Sequence, residues 1–131
     1  GCDGMDGILT TEGFDTSLAE GLMLMTPFNP DAPETQDFVA KYQAMMDGVV
    51  PNQFAADGYD CIYAIYNAVQ QIDGALEMDQ AALCDALIAV FTGGEFSVDG
   101  LTGAGMTWQA NGEVAKEALV VAVKDGAYAA Q

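Results

Sequence analysis

The stretch Gln53-Phe-Ala-Ala-Asp-Gly-Tyr-Asp-Cys-Ile-Tyr-Ala-Ile-Tyr-Asn-Ala-Val-Gln-Gln-Ile72 has the cleanest helical period in the chain. At 100° per residue, Phe54, Gly58, Cys61, Ile62, Ile65, Val69 and Ile72 share one face, and Asp57, Asp60, Asn67 and Gln71 share the other. Pro51-Asn52 supplies a stop and an N-cap candidate, and Asp73-Gly74 supplies the exit. A helix of this kind must be half buried, so the remaining chain has to cover its apolar side. Gly58 costs about 1 kcal/mol against Ala in a helix interior. Its place on the apolar face implies close approach of another backbone.

At 131 residues, 51% of them hydrophobic, the chain has the length of one domain and enough apolar surface for a core. Its charge is the unusual property: 20 acidic residues against Lys41, Lys116 and Lys124, with no Arg or His and a net charge of −17. Nucleic acid and anionic membranes are poor partners for such a surface, because phosphate recognition needs clustered Lys and Arg. The absence of His removes the usual general base, the usual metal ligand and every Ser/His or Cys/His nucleophile. Cys2, Cys61 and Cys84 match no zinc or C-x-x-C spacing. Cys61 and Cys84 fall on apolar faces of two expected helices and read as free buried thiols, with a disulfide between them left open. No run reaches the roughly 18 apolar residues of a membrane span, and no signal-peptide pattern is present. The chain thus reads as a mature form or as a fragment.

Asp3-Gly4 and Asp6-Gly7 are turn pairs, and 15–20 reads as one helical turn. Leu22–Thr26, bounded by Gly21 and Pro27, predicts a strand covered on both faces. A helix follows the Asn29–Pro33 loop, with Asp31 and Glu34 at capping-box spacing. It carries Phe38, Tyr42, Met45 and Met46 inward and ends near Asp47-Gly48. A third helix spans about Asp79–Phe91 with Leu83, Leu87, Val90 and Phe91 inside, and stops at Thr92-Gly-Gly94. Short strands then follow over 103–108 and 118–123, the second apolar throughout. Turns are expected at Ala110-Asn-Gly112 and Asp125-Gly126. The order is α/β, but few strands separate the helices, as in a part of a larger fold.

Gly1-Cys-Asp-Gly4, Ala19–Phe28, Phe38–Tyr42, Pro51–Asp60, Asp99–Gly103, Asn111-Gly112 and Val123–Gly126 follow one another in a familiar order. The series resembles the C-terminal third of the branched-chain amino-acid-type solute-binding proteins of bacterial ABC importers, and it covers essentially the whole chain. The resemblance implies part of a two-lobe type I periplasmic-binding-protein fold, with helices flanking a mostly parallel sheet and ligand trapped by hinge closure. Residues 1–26 would belong to the second lobe, 27–102 to the first-lobe helical segment, and 103–131 to the crossover and the terminal second-lobe strands. By motif, Asp3 takes the place of the acid that accepts the ligand's α-ammonium, and Phe54 that of the aromatic wall against the ligand side chain. The first-lobe segment that holds the ligand carboxylate has no counterpart here.

Each assignment has a plainer rival. Asp3 also fits a simple turn former, Phe54 a core residue on its helix stripe, and Tyr59 either a cleft wall or packing at the stripe's edge. Gly1-Cys2 resembles the end of a lipobox, without the apolar segment that should precede it. Met23, Met25, Met45 and Met46 read as core. Asp3, Asp6 and Glu12 lack calcium-loop order, and Asp57 and Asp60 read as a solvated pair. The expected function is an extracytoplasmic component, periplasmic or a cell-surface lipoprotein, that captures an amino acid, branched-chain or similar, for ABC import. Its partners would be that amino acid, the ABC permease and the remaining N-terminal part of the same protein, with self-association of a lone fragment. No cofactor, metal or nucleic acid is expected, and no bond is made or broken. The alternatives are a sensor of the same fold and a carboxylate-dependent hydrolase.

Overall fold

The helical pattern between Pro51 and Ile72 becomes a 17-residue helix, Gln53–Val69, and the chain divides into two compact units. In this computed structural model the structure describes residues 3–5 and 7–131, the side chain of Asp3 excepted. One unit comprises Gly1–Ala56 with Ala118–Gln131, and the other Asp57–Glu117.

The first unit is built on a three-stranded sheet. Strand β1 (Met23–Thr26) pairs antiparallel with β4 (Leu119–Lys124), which pairs antiparallel with β5 (Ala127–Ala130), giving the order β1-β4-β5. The β4–β5 turn is Asp125-Gly126 with φ of 53° and 79°, the left-handed pair that a two-residue hairpin needs. Glu20 Oε2 accepts from the Asp125 N–H at 3.0 Å and fixes that turn to the end of the Thr16–Ala19 3-10 turn, which Asp15 caps through the Ser17 N–H. Helix α1 (Gln36–Met45) follows a 3-10 turn at Pro33–Thr35 and ends at Asp47 and Gly48, both at positive φ. The expected capping box does not form. Asn29 Oδ1 takes the Asp31 N–H instead, and Thr35 Oγ1 donates to the Asn29 carbonyl.

The second unit holds most of helix α2 (Gln53–Val69), helix α3 (Gln80–Thr92) and a small antiparallel pair, β2 (Thr107–Trp108) with β3 (Val114–Ala115). Asn52 caps α2 through the Ala55 N–H at 3.1 Å, and Asp79 caps α3 through the Ala82 N–H at 2.9 Å. Ala64 and Ala68 of α2, Phe96, Val98 and Met106 form the core, with Leu87, Val90, Phe91, Trp108 and Val114 packed against it. Phe91, Phe96 and Trp108 meet with ring centroids 4.7–5.7 Å apart, the separation at which aromatic pairs attract beyond their buried area.

Several expectations are corrected. Helix α2 stops at Val69, and the side it buries is the small one: Gln53, Ala56, Asp60, Ala64 and Ala68 are inside, while Phe54, Cys61, Ile62 and Ile65 are exposed. Alanines at four-residue spacing let neighbouring chain pack close, which bulky side chains would prevent. Cys61 and Cys84 are free but exposed rather than buried. The four methionines read as core are exposed, Met45 at 81%. Strands β1 and β4 each cover one face: Leu24, Thr26, Val121 and Val123 are buried, whereas Met23, Met25 and Val120 are open. Every strand pair among the described residues is antiparallel, since a tight hairpin joins β4 to β5 and β1 runs against β4. The α/β class stands, and no parallel strand pair lies among the described residues. Around Gly58 a Cβ would meet nothing within 4 Å, so the expected close approach of another backbone is absent.

Asp57 and Asp60 are not a solvated pair either. Asp60 is 6% exposed. Its Oδ1 accepts from the Leu101 N–H at 2.8 Å, and its Oδ2 accepts from the Thr102 N–H at 2.8 Å and the Thr102 hydroxyl at 2.7 Å. These bonds fasten the Asp99–Gly103 loop to α2. A Cβ on Gly100 would come within 2.5 Å of Asp60 Oδ2, so only glycine fits there. Asp60→Ala strands two backbone donors and a hydroxyl, and should cost about 3 kcal/mol in urea unfolding; a loss below about 1 kcal/mol would contradict the clamp. Gly58→Ala fills open space on a helix and should raise stability by about 0.5–1 kcal/mol in the same assay.

Candidate functional site

The turn after β1 creates a place in the first unit where apolar walls converge with polar groups. Thr26 Oγ1 donates to the Phe28 carbonyl at 2.9 Å and accepts from the Phe28 N–H at 3.2 Å, closing the strand on a side-chain turn. That turn drives Phe28 inward, where its ring meets Phe38 edge-on at 5.9 Å. The chain returns to the same place at Val50–Gln53, just before and into the first turn of α2, where Pro51 and Gln53 are buried. Leu24, Val121, Tyr128 of β5, Gly7 and Thr10 also line this place. Together they line a pocket of about 60 Å³ that is partly open to solvent.

The lining is mainly Leu24, Met25, Phe28, Pro30, Val50, Pro51 and Val121, with Thr10, Thr26, Asn52 and Gln53 as the polar members. An apolar wall with a few fixed polar groups suits a small organic ligand with a hydrocarbon portion. Thr26 and Asn52 each have part of their hydrogen-bonding capacity committed to the backbone, which fixes where they sit. Among the described residues no group of three or more Cys, Asp or Glu could hold a metal ion, and no helix is long and apolar enough to cross a membrane.

The three residues singled out from the sequence fall in different places. The backbone of Asp3 opens a 3-10 turn over Asp3–Met5, but its side chain lies outside the described residues, as does the Gly1-Cys2 pair. Phe54 stands in the first turn of α2 at 56% exposure; its neighbour Gln53 lines the pocket and Phe54 does not. Tyr59 belongs to the other compact unit and is exposed, its ring 4.5 Å from that of Tyr63. The hydrogen bond with Tyr63 holds the Tyr59 phenol above its ordinary pKa, with a smaller push from burial and from the nearby Tyr63 and Asp60 charges. Thr26, Phe28, Asn52, Gln53 and Tyr128 were not legible as pocket residues. Pro27 after the expected strand and the stop at Pro51 mark the two turns beside which four of them stand.

The sequence model described as periplasmic binding protein matches residues 6–127. No curated protein matches significantly. Among solved structures, the fold is similar to the branched-chain amino acid transporter substrate binding protein LivJ of Streptococcus pneumoniae in complex with isoleucine, at TM-score 0.73 and 20% identity over 100% of this chain and 35% of that one. It is similar to the leucine binding protein LivK of Thermotoga maritima, at TM-score 0.68 and 23% identity over 99% and 35%. An ABC transporter substrate-binding protein of Desulfitobacterium hafniense in complex with Leu matches at TM-score 0.67 and 26% identity over 88% and 32%. The chain thus spans about a third of the length of these structures. These relatives are binding proteins rather than enzymes, and their family works outside the cytoplasm. The α/β elements are those of the type I fold, and the chain belongs to the periplasmic binding protein family.

Proposed function

We propose that this chain is part of an extracytoplasmic receptor that captures an amino acid with an aliphatic side chain, branched-chain or similar, for delivery to an ABC permease. The observation that carries this reading is the apolar pocket at the end of β1, in a chain of the periplasmic binding protein family. Leu24, Phe28, Pro51 and Val121 offer a hydrocarbon surface, and Thr26 and Asn52 offer fixed polar atoms. A net charge of −17 repels anionic ligands at long range and leaves a zwitterion unopposed. In this reading Asp3 accepts the α-ammonium, worth about 1.5–3 kcal/mol as a charge-assisted hydrogen bond, and Phe54 and Tyr59 form walls that meet the ligand on closure. Residues 1–26 and 103–131 form second-lobe segments and 27–102 the first-lobe segment. Binding would act through the different affinity of open and closed states.

Titrating the isotope-labelled chain with leucine, isoleucine or valine should shift the amide resonances of Thr26, Asn52, Gln53 and Val121, with millimolar affinity or about −4 kcal/mol. Asp3→Ala should weaken that binding several-fold, and glutamate should leave the resonances in place. Unmoved pocket amides with all three amino acids would refute the assignment.

The exposed apolar faces support partnering with further chain of the same receptor. Phe54, Ile62, Ile65 and Tyr66 on α2, and Met23 and Met25 on the sheet, are each at least 47% exposed. Clustered apolar surface of this kind drives association in water. Sedimentation of the 131-residue chain should therefore show dimers or larger species at micromolar concentration, with binding of an apolar dye. A sharp monomer that binds no dye would count against it.

A further inference from the structure

Helix α2 carries its charges inward and its bulk outward. Of its two acids, Asp60 is 6% exposed and held by the Asp99–Gly103 loop, and Asp57 is half-buried and paired with Lys116 Nζ at 3.0 Å. No exposed residue of α2 is charged, in a chain with 20 acids. Within the second unit its open side presents Tyr59, Ile62, Tyr63, Ile65 and Tyr66, each between 41% and 66% exposed. At 100° per residue Gly58, Ile62, Ile65, Tyr66 and Val69 form one row along that side, and the Tyr59–Tyr63 ring pair borders it. Apolar surface left in water costs free energy that a covering layer recovers, and a face without charge admits a neighbour without desolvating an ion.

The row is uneven, and its shape points to the occupant. A Cβ at Gly58 would meet nothing within 4 Å, so an open notch lies one turn before Ile62. Tyr66, 58% exposed, stands one turn after it. In an antiparallel pair of α2 helices with a two-fold axis at Ile62, residues equally far before and after Ile62 face each other. Tyr66 of the second copy then meets the Gly58 notch, and Ile65 of the second copy meets Tyr59, each contact occurring twice. A parallel pair would set notch on notch and Tyr66 on Tyr66, and would align the two helix dipoles. The five bulky side chains offer on the order of 500 Å² per copy, at the lower limit of a specific interface, so the pair forms at micromolar concentration or above. We propose that a second copy of this chain covers α2, antiparallel about Ile62, with Tyr66 of each copy in the Gly58 notch of the other. This rests on the association argued above, for which it names the face and the partner, and it is independent of what the pocket binds.

Sedimentation of the 131-residue chain and its variants tests the pairing. Ile62→Asp sets two carboxylates at the axis and should weaken the dimer at least about a hundredfold. Ile62 is 66% exposed, so the fold should survive, which unchanged Trp108 emission checks. Gly58→Leu adds apolar surface in open space yet fills the notch, and should weaken the dimer about tenfold. Between about 0.01 M and 1 M NaCl the dimer should tighten, because salt screens the repulsion between two copies of net charge −17. With Cys2→Ser, Cys61→Ser and Cys84→Ser as background, Ile62→Cys should oxidise to a linked dimer, and Met25→Cys, on the open face of the sheet, should not. A dimer that persists in Ile62→Asp, tightens with Gly58→Leu as unspecific apolar contact would, or links through Met25→Cys and not Ile62→Cys would overturn the pairing. A monomer at every concentration would overturn it too. That result would leave the pocket reading standing, because the amino-acid titrations read amides of the other unit and can be run in Ile62→Asp.

Discussion

The carboxylate of Asp60 is the fixed point of the second unit. Buried ionised groups are tolerated only when their oxygens are fully occupied, and Asp60 meets that condition with two backbone N–H groups and one hydroxyl. The bond partners lie 41 and 42 residues further along the chain, so the contact sets which turn of α2 faces the Asp99–Gly103 loop. The same loop is closed on itself by the Val98–Met106 bridge and by the Gly105 N–H to Asp99 Oδ1 bond. Val98 and Met106 are thereby delivered to the core beside Ala64 and Ala68. One carboxylate thus ties a polar loop, a helix and an apolar cluster into a single arrangement.

The first unit depends on shape more than on charge. Its sheet buries Leu24, Val121 and Val123 on one side and leaves methionines on the other. The Thr26 turn and the Asn29 and Thr35 hydrogen bonds hold Phe28 against the sheet. The pocket is what remains between that rigid corner and the chain entering α2. Half-covered sheets and a helix whose bulky face is open fit a chain that spans about a third of its structural relatives.

What could be read from the sequence was mostly local. The cap at Asn52, the stop at Asp47-Gly48 and the hairpin at Asp125-Gly126 all form, because each depends on a few adjacent residues. The order of helices and strands followed from the same punctuation. Bulk does not mark the interior of α2, because the residues it buries are the small Ala56, Ala64 and Ala68. Asp60 was equally hidden, since nothing near it in sequence announces Leu101 or Thr102. Pairing direction in the sheet and the identity of the pocket walls depend on contacts between distant segments, which periodicity does not encode. The motif-based places of Asp3, Phe54 and Tyr59 came from resemblance, and their roles belong to the proposed receptor.

The aromatic cluster of the second unit carries one practical consequence. The chain's single tryptophan, Trp108, stands against Phe91 and Phe96, wholly within that unit. Its emission therefore reports the packing of that unit's own aromatic core. Melting curves followed by that light and by backbone circular dichroism need not coincide, and any gap between them would measure how independently the two halves come apart.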